Sequence, residues 1–181
     1  MGIKKTNMRN LNSSRISLIR LGLFGFVLSS LLTPLPSEAD MQAGDEAYAN
    51  NNYVLAFEEW LKEAEAGNPL AQNNIGYMYR KARGAPIDWK EAVKWYRRAA
   101  EQGLPEAMTN LGYMYDEGKG VAQDLIESYK WFLLAARRDR EGAEGHLELL
   151  RKEFLTPEAV TEAVKRADEW SPTPEKQSTT E

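Results

Sequence analysis

Lys119 stands between Gly118 and Gly120 in "LGYMYDEGKGVAQD", residues 111–124, and this is where the sequence comes nearest to a phosphate loop. Such a loop needs four residues between its first glycine and a Gly–Lys pair, then Ser or Thr to hold magnesium. Here five residues separate Gly112 from Gly118, and Gly120 follows the lysine. No strand-forming run precedes it, and the matching loop upstream, "KARGAPID", has no second glycine. The pattern argues against nucleotide binding. It reads as a turn in which glycines supply positive φ between two helices, with Lys119 facing water.

The other reactive side chains are thinly spread. His146 is the only histidine, so a metal cluster or a Ser–His–Asp triad has a single possible anchor, and the residue reads as surface or partly packed. Glu58, Glu59, Glu63 and Glu65 could pair for acid–base work, but their spacing suits the solvated face of a helix. Trp95 and Trp131 read as core, while Trp89 is less clear because its repeat partner is Leu125. No catalytic residue, cofactor or metal site is expected.

The elements that must position any site come from a repeat. Residues 71–106 and 107–142 align without a gap at an offset of 36. Identities include Asn74/Asn110, Gly76/Gly112, Tyr77/Tyr113, Gly84/Gly120, Asp88/Asp124, Trp95/Trp131 and Ala99/Ala135. Each unit reads as two helices. The first covers about 71–81 and again 107–117, and the second begins after Asp88 or Asp124. Glutamate three residues after each aspartate predicts a capping box. Gly76 and Gly112 sit inside helices, where glycine costs about 1 kcal/mol against alanine, so a close helix crossing is expected there. Ala82 stands where the second unit has Gly118, which predicts a different local shape for the first loop.

A shorter unit precedes these. Ala56, Trp60, Ala64 and Gly67 fall in register, and residues 40–70 form an N-terminal helix pair. Residues 143–170 read as degenerate capping helices, the last one starting after Thr156-Pro157. Residues 171–181 read as a disordered tail by composition.

Residues 1–39 have the three regions of a secretory signal peptide. A basic start (Lys4, Lys5, Arg9, Arg15, Arg20) leads into an apolar run to Pro36, and small Ser37 and Ala39 follow. The run of about 16 residues is shorter than the roughly 18–20 that span a bilayer. Cleavage near Ala39, with Met1 or Met8 as start, would give a periplasmic or secreted product that meets membrane only through its leader. That product carries 18 basic and 26 acidic residues, which disfavours nucleic acid. There is no cysteine, so in an oxidising compartment the fold must hold by packing alone.

"AVKWYRRAAEQG" and "LGYMYDEGKGVAQD…SYKWFLLAA" resemble the Sel-one-like repeat family, a branch of the tetratricopeptide-type solenoids. The resemblance covers residues 43–142 and implies an all-α, right-handed solenoid of antiparallel helix pairs. It also implies an adaptor or scaffold that binds a protein or peptide on its concave face. First helices line that face, which would place Asn73, Tyr77 and Arg80 of one unit and Thr109, Tyr113 and Asp116 of the next on it. Tyrosine with asparagine suits an interface, although Tyr77 and Tyr113 could equally wedge between units. The alternatives are a structural subunit of an envelope complex, or a hydrolase of cell-wall or penicillin-like compounds. Cysteine-rich secreted relatives have been described as binding or hydrolysing such compounds, but this chain lacks their cysteine pairs.

Overall fold

A computed structural model describes residues 38–138 and 143–175. The leader reading falls outside them except at residues 38 and 39, which open the first helix, and so does the tail beyond Glu175. The described residues form an all-α solenoid of eight helices. They are α1 (Glu38–Ala49), α2 (Tyr53–Glu65), α3 (Pro69–Lys81), α4 (Trp89–Glu101), α5 (Pro105–Glu117), α6 (Leu125–Ala136), α7 (Glu144–Glu153) and α8 (Pro157–Glu169). Each helix from α1 to α6 packs on the next, and α8 packs back on α6.

Local chemistry sets the helix ends. Proline at the first turn opens α3, α5 and α8, where its missing N–H costs nothing. Asp88 and Asp124 cap α4 and α6, each carboxylate accepting two main-chain N–H groups at about 3.0 Å. The expected capping boxes are only half made. The Asp88 and Asp124 amides donate instead to the carbonyls of Tyr79 and Tyr115, tying each loop to the preceding helix. Glu91 and Glu127 are thereby released to pair with Lys94 and Lys130 one turn on.

The close crossings are present and recur three times. Gly44, Gly76 and Gly112 each receive an aromatic ring from the second helix of the pair: Trp60, Tyr96 and Phe132. A β-carbon would lie 2.8 Å from the Tyr96 ring at Gly76 and 3.0 Å from the Phe132 ring at Gly112. Burying such a ring stabilises by roughly 1.5–3 kcal/mol, which outweighs the glycine penalty. The sequence stripe of Ala92, Trp95, Tyr96 and Ala99 is buried, as are its counterparts Trp131, Phe132 and Ala135.

The loop around Lys119 couples units. Gly120 (φ 72°) lies so close to the carbonyl of Trp89 that a side chain would overlap it, and Gly84 (φ 74°) meets the carbonyl of Tyr53 in the same way. Beside each glycine a cation covers the aromatic ring. Lys119 Nζ is 5.0 Å from the Trp89 ring centre, and the Arg83 guanidinium is 5.0 Å from that of Tyr53. Lys119 is exposed, as expected, and also pairs with Glu117 at 2.6 Å. The first loop does not take a different shape. Ala82 adopts the left-handed conformation (φ 53°, ψ 42°) that Gly118 adopts (φ 63°, ψ 29°), despite its β-carbon.

The C-terminal part departs from the repeat. Gly145 has open space around it, and Glu148 occupies the register position where a ring-receiving glycine stands in the earlier units. α8 buries Ala163 and Ala167. Residues 171–175, part of the stretch whose composition suggests disorder, run extended beside α4, where the Thr173 amide donates to the Glu101 carbonyl at 2.8 Å.

Candidate functional site

α3 and α5 are the first helices of the two full units, and they lie side by side. Asn110 Nδ2 donates to Asn73 Oδ1 at 2.9 Å, joining one unit to the next. All six residues expected on this face are partly exposed, neither core nor fully solvated. Asn73, Tyr77 and Arg80 follow one line of α3, and Thr109, Tyr113 and Asp116 the matching line of α5.

Tyr113 is the most engaged of the six. Its hydroxyl is 2.6 Å from His146 Nε2, and its ring meets Phe132 and His146 edge-on at 5.0 and 4.7 Å. His146 in turn stacks on Phe132 at 5.1 Å. Burial pushes the Tyr113 pKa up, and the Asp116 and Glu117 carboxylates add to that against the opposing charge of Arg80. A hydroxyl held protonated in this way recognises by hydrogen bonding and is a poor nucleophile at neutral pH.

Tyr77 lies in a cationic setting. The guanidinium groups of Arg80 and Arg83 lie 5.5 and 5.7 Å from its ring centre. Arg83 also covers Tyr48 and hydrogen-bonds its hydroxyl. Burial raises the Tyr48 pKa, and the neighbouring Tyr77 hydroxyl reinforces this while Arg83 opposes it. Arg80 Nε is buried without a hydrogen-bond partner. Its guanidinium charge lowers the pKa of Tyr96, although burial dominates and pushes that hydroxyl well above the ordinary tyrosine value. The Tyr96 hydroxyl closes no hydrogen bond of good geometry despite that neighbour.

Asp116 completes the line at the C-terminal end of α5, its backbone carbonyl accepting from Gln123 Nε2 at 2.7 Å. The face is thus basic at Arg80 and Arg83 and acidic at Asp116. Tyr48, Arg83 and His146 belong to it although sequence reasoning did not place them there. His146 carried a signal, since it stands 36 residues after Asn110, which stands 36 after Asn74. Arg83 carried one too, as the register partner of Lys119.

The groups that could have done other chemistry lie elsewhere. Glu59 pairs with Lys62 on α2 at 2.9 Å. Trp60, Trp95 and Trp131 are buried in the core, and Trp89 is covered by Lys119. Among the described residues no group of three or more His, Cys, Asp or Glu side chains could hold a metal ion.

Paired helices and ring-receiving glycines, with a polar, tyrosine-rich line along the first helices, define a helix-pair solenoid. More particularly, the chain carries two Sel1 repeats, matched at residues 69–104 and 105–139. It is similar to a protective antigen of uropathogenic Escherichia coli that displays an SLR fold (28% identity, TM-score 0.66), covering 71% of this chain and 28% of that one. It is also similar to a Sel1 repeat protein from Oxalobacter formigenes (36% identity, TM-score 0.58), covering 71% of this chain and 56% of the other. Helicobacter pylori cysteine rich protein B shares the fold at 22% identity and a TM-score of 0.50, covering 60% of this chain and 92% of that one. The chain thus spans about a quarter of the first of these relatives and about half of the second. No curated protein matches the chain.

Proposed function

We propose that this is an exported adaptor whose α3–α5 face holds an extended protein or peptide segment. The observation that carries the reading is the alignment of six partly exposed residues on two helices already joined by the Asn73–Asn110 hydrogen bond. Tyr77 and Tyr113 supply rigid contact area, the asparagines supply main-chain recognition, and Arg80 and Asp116 set the direction of a segment carrying both signs of charge. Export rests on the leader-like residues 1–39, and no described helix is long and apolar enough to cross a membrane.

A photo-crosslinker placed at Thr109 in cells is expected to attach to a defined partner, identified by mass spectrometry. The same group at exposed Lys94 on α4 is the control. Exchanging the charges, with Arg80→Glu and Asp116→Arg together, should abolish the Thr109 product while the helical melting profile is kept. Identical products from Thr109 and Lys94, or an undiminished product after the exchange, would rule the face out. N-terminal sequencing of the exported protein tests cleavage near Ala39.

A further inference from the structure

A second polar site lies on the edge of the array, where the α2–α3 and α4–α5 turns meet. Its floor is Gln72, fully buried at 0% exposure. The amide is fixed on both sides: Oε1 accepts from Gln102 Nε2 at 2.8 Å, and Nε2 donates to the Ala64 carbonyl at 3.1 Å. The same nitrogen also donates to Glu175 Oε2 at 2.5 Å. Arg98 is the wall. Its guanidinium lies 4.4 Å from the Trp95 ring centre, and Nη2 reaches the Ala64 carbonyl at 3.4 Å. Nε and Nη2 then hold Glu175 Oε1 at 2.9 and 2.6 Å. Each donor to the carboxylate is oriented by a contact of its own, so little ordering is left for a ligand to supply.

Both polar residues differ from the next unit. Met108 stands in the next unit where Gln72 stands, and Leu134 where Arg98 stands. A buried amide costs free energy unless it is fully hydrogen-bonded, so packing alone would favour the apolar pair. The present occupant is held chiefly at Glu175. Pro172 and Pro174 have no N–H to donate, residues 171–174 are exposed, and Thr173 makes a main-chain bond to Glu101. A cavity of about 180 Å³ opens beside it, lined by Arg98, Glu101, Thr173, Pro174 and Glu175.

We propose that this edge is a receptor for an extended, proline-containing peptide segment of a partner that presents a carboxylate, and that the chain's own tail is its tethered competitor. The site is separate from the α3–α5 face and does not depend on that reading. Charge makes the selection, because an amide in place of the carboxylate removes the negative charge facing Arg98 and sets an NH2 donor against the Gln72 Nε2 donor. Tethering gives the tail an effective concentration on the order of millimolar, which a partner segment must overcome.

The test is fluorescence anisotropy with a labelled peptide of residues 171–181, titrated with the full chain. Glu175→Ala should bind the peptide at least tenfold tighter than the unsubstituted chain, because its own site is vacated. Adding Arg98→Leu should abolish that binding, and so should a peptide with glutamine at the position of Glu175. Arg98→Leu and, as a second variant, Gln72→Met copy side chains the next repeat accommodates, and circular dichroism confirms that they fold. No gain with Glu175→Ala, or binding retained in both Arg98→Leu and Gln72→Met, overturns the proposal.

Discussion

The two full repeats have the same framework and present different chemistry. Both place a glycine under an aromatic ring, an aspartate at the second helix start and a loop glycine against the previous unit. They differ at Gln72 and Met108, Arg98 and Leu134, Tyr96 and Phe132, Arg80 and Asp116, and Ala82 and Gly118. The shared positions include those where backbone meets backbone or a ring and those that cap a helix. At three of these positions, Gln72, Arg98 and Tyr96, the first unit carries a polar group where the second has an apolar side chain. The first unit thus carries a buried Tyr96 hydroxyl and a filled Gln72–Arg98 site, while the second has Phe132, Met108 and Leu134 at those positions and its own buried polar group at Ser128.

The shared framework can be broken at its loop glycines, where the largest effect is expected. Gly84→Ala or Gly120→Ala adds a left-handed backbone cost of about 1–2 kcal/mol and drives a methyl into a main-chain carbonyl of the preceding unit. Overpacking of that kind costs about 1–3 kcal/mol, so each variant should lose about 3 kcal/mol in urea melts. Losses below about 1 kcal/mol in both would mean that these loops do not couple the units.

Exchanging the helix-end residues comes next. Ala82→Gly should stabilise by about 0.5–1 kcal/mol, because the left-handed position no longer carries a β-carbon. Gly118→Ala should destabilise by a similar amount. Equal signs for the two would show that the loops are not equivalent after all.

The smallest effect is expected at Tyr96. Tyr96→Phe copies Phe132 and removes a buried hydroxyl that has no partner, so stability at pH 7 should stay within about 1 kcal/mol or rise. The pH profile is the sharper readout. Burial raises the folded Tyr96 pKa above the unfolded value of about 10, so the native state holds its proton longer. Stability from this group is complete below pH 10 and is lost as pH rises beyond it. Tyr96→Phe should therefore unfold less steeply in alkali, and an unchanged alkaline limb would contradict this.

The repeat was readable because identical residues recur at 36, and helix periodicity then placed α3 to α6 to within two residues at their starts and within one at the end of each first helix. Glycine in mid-helix foretold the close crossings. The loop at Ala82 misled, because a helix-end conformation set by the surrounding chain overrode the residue's own preference. The partial exposure of the six residues on α3 and α5 agrees with their register, but the contacts of Tyr113 were not legible, since His146 lies in a unit whose pattern has decayed. The edge site was missed. Gln72 and Arg98 differ from Met108 and Leu134 of the next unit, but that difference was not read as a site, and nothing local to them announces Glu175, 103 residues from Gln72.

That last separation also bears on how the array comes apart. A solenoid held only by neighbouring units has local contacts and can fray from either end one unit at a time. The strap from α8 back to α4 joins residues far apart in the chain, so part of the loop-closure entropy is already spent in the native state. Losing the C-terminal cap then means losing the Arg98–Glu175 clasp as well, which turns a series of separate openings into a more cooperative one.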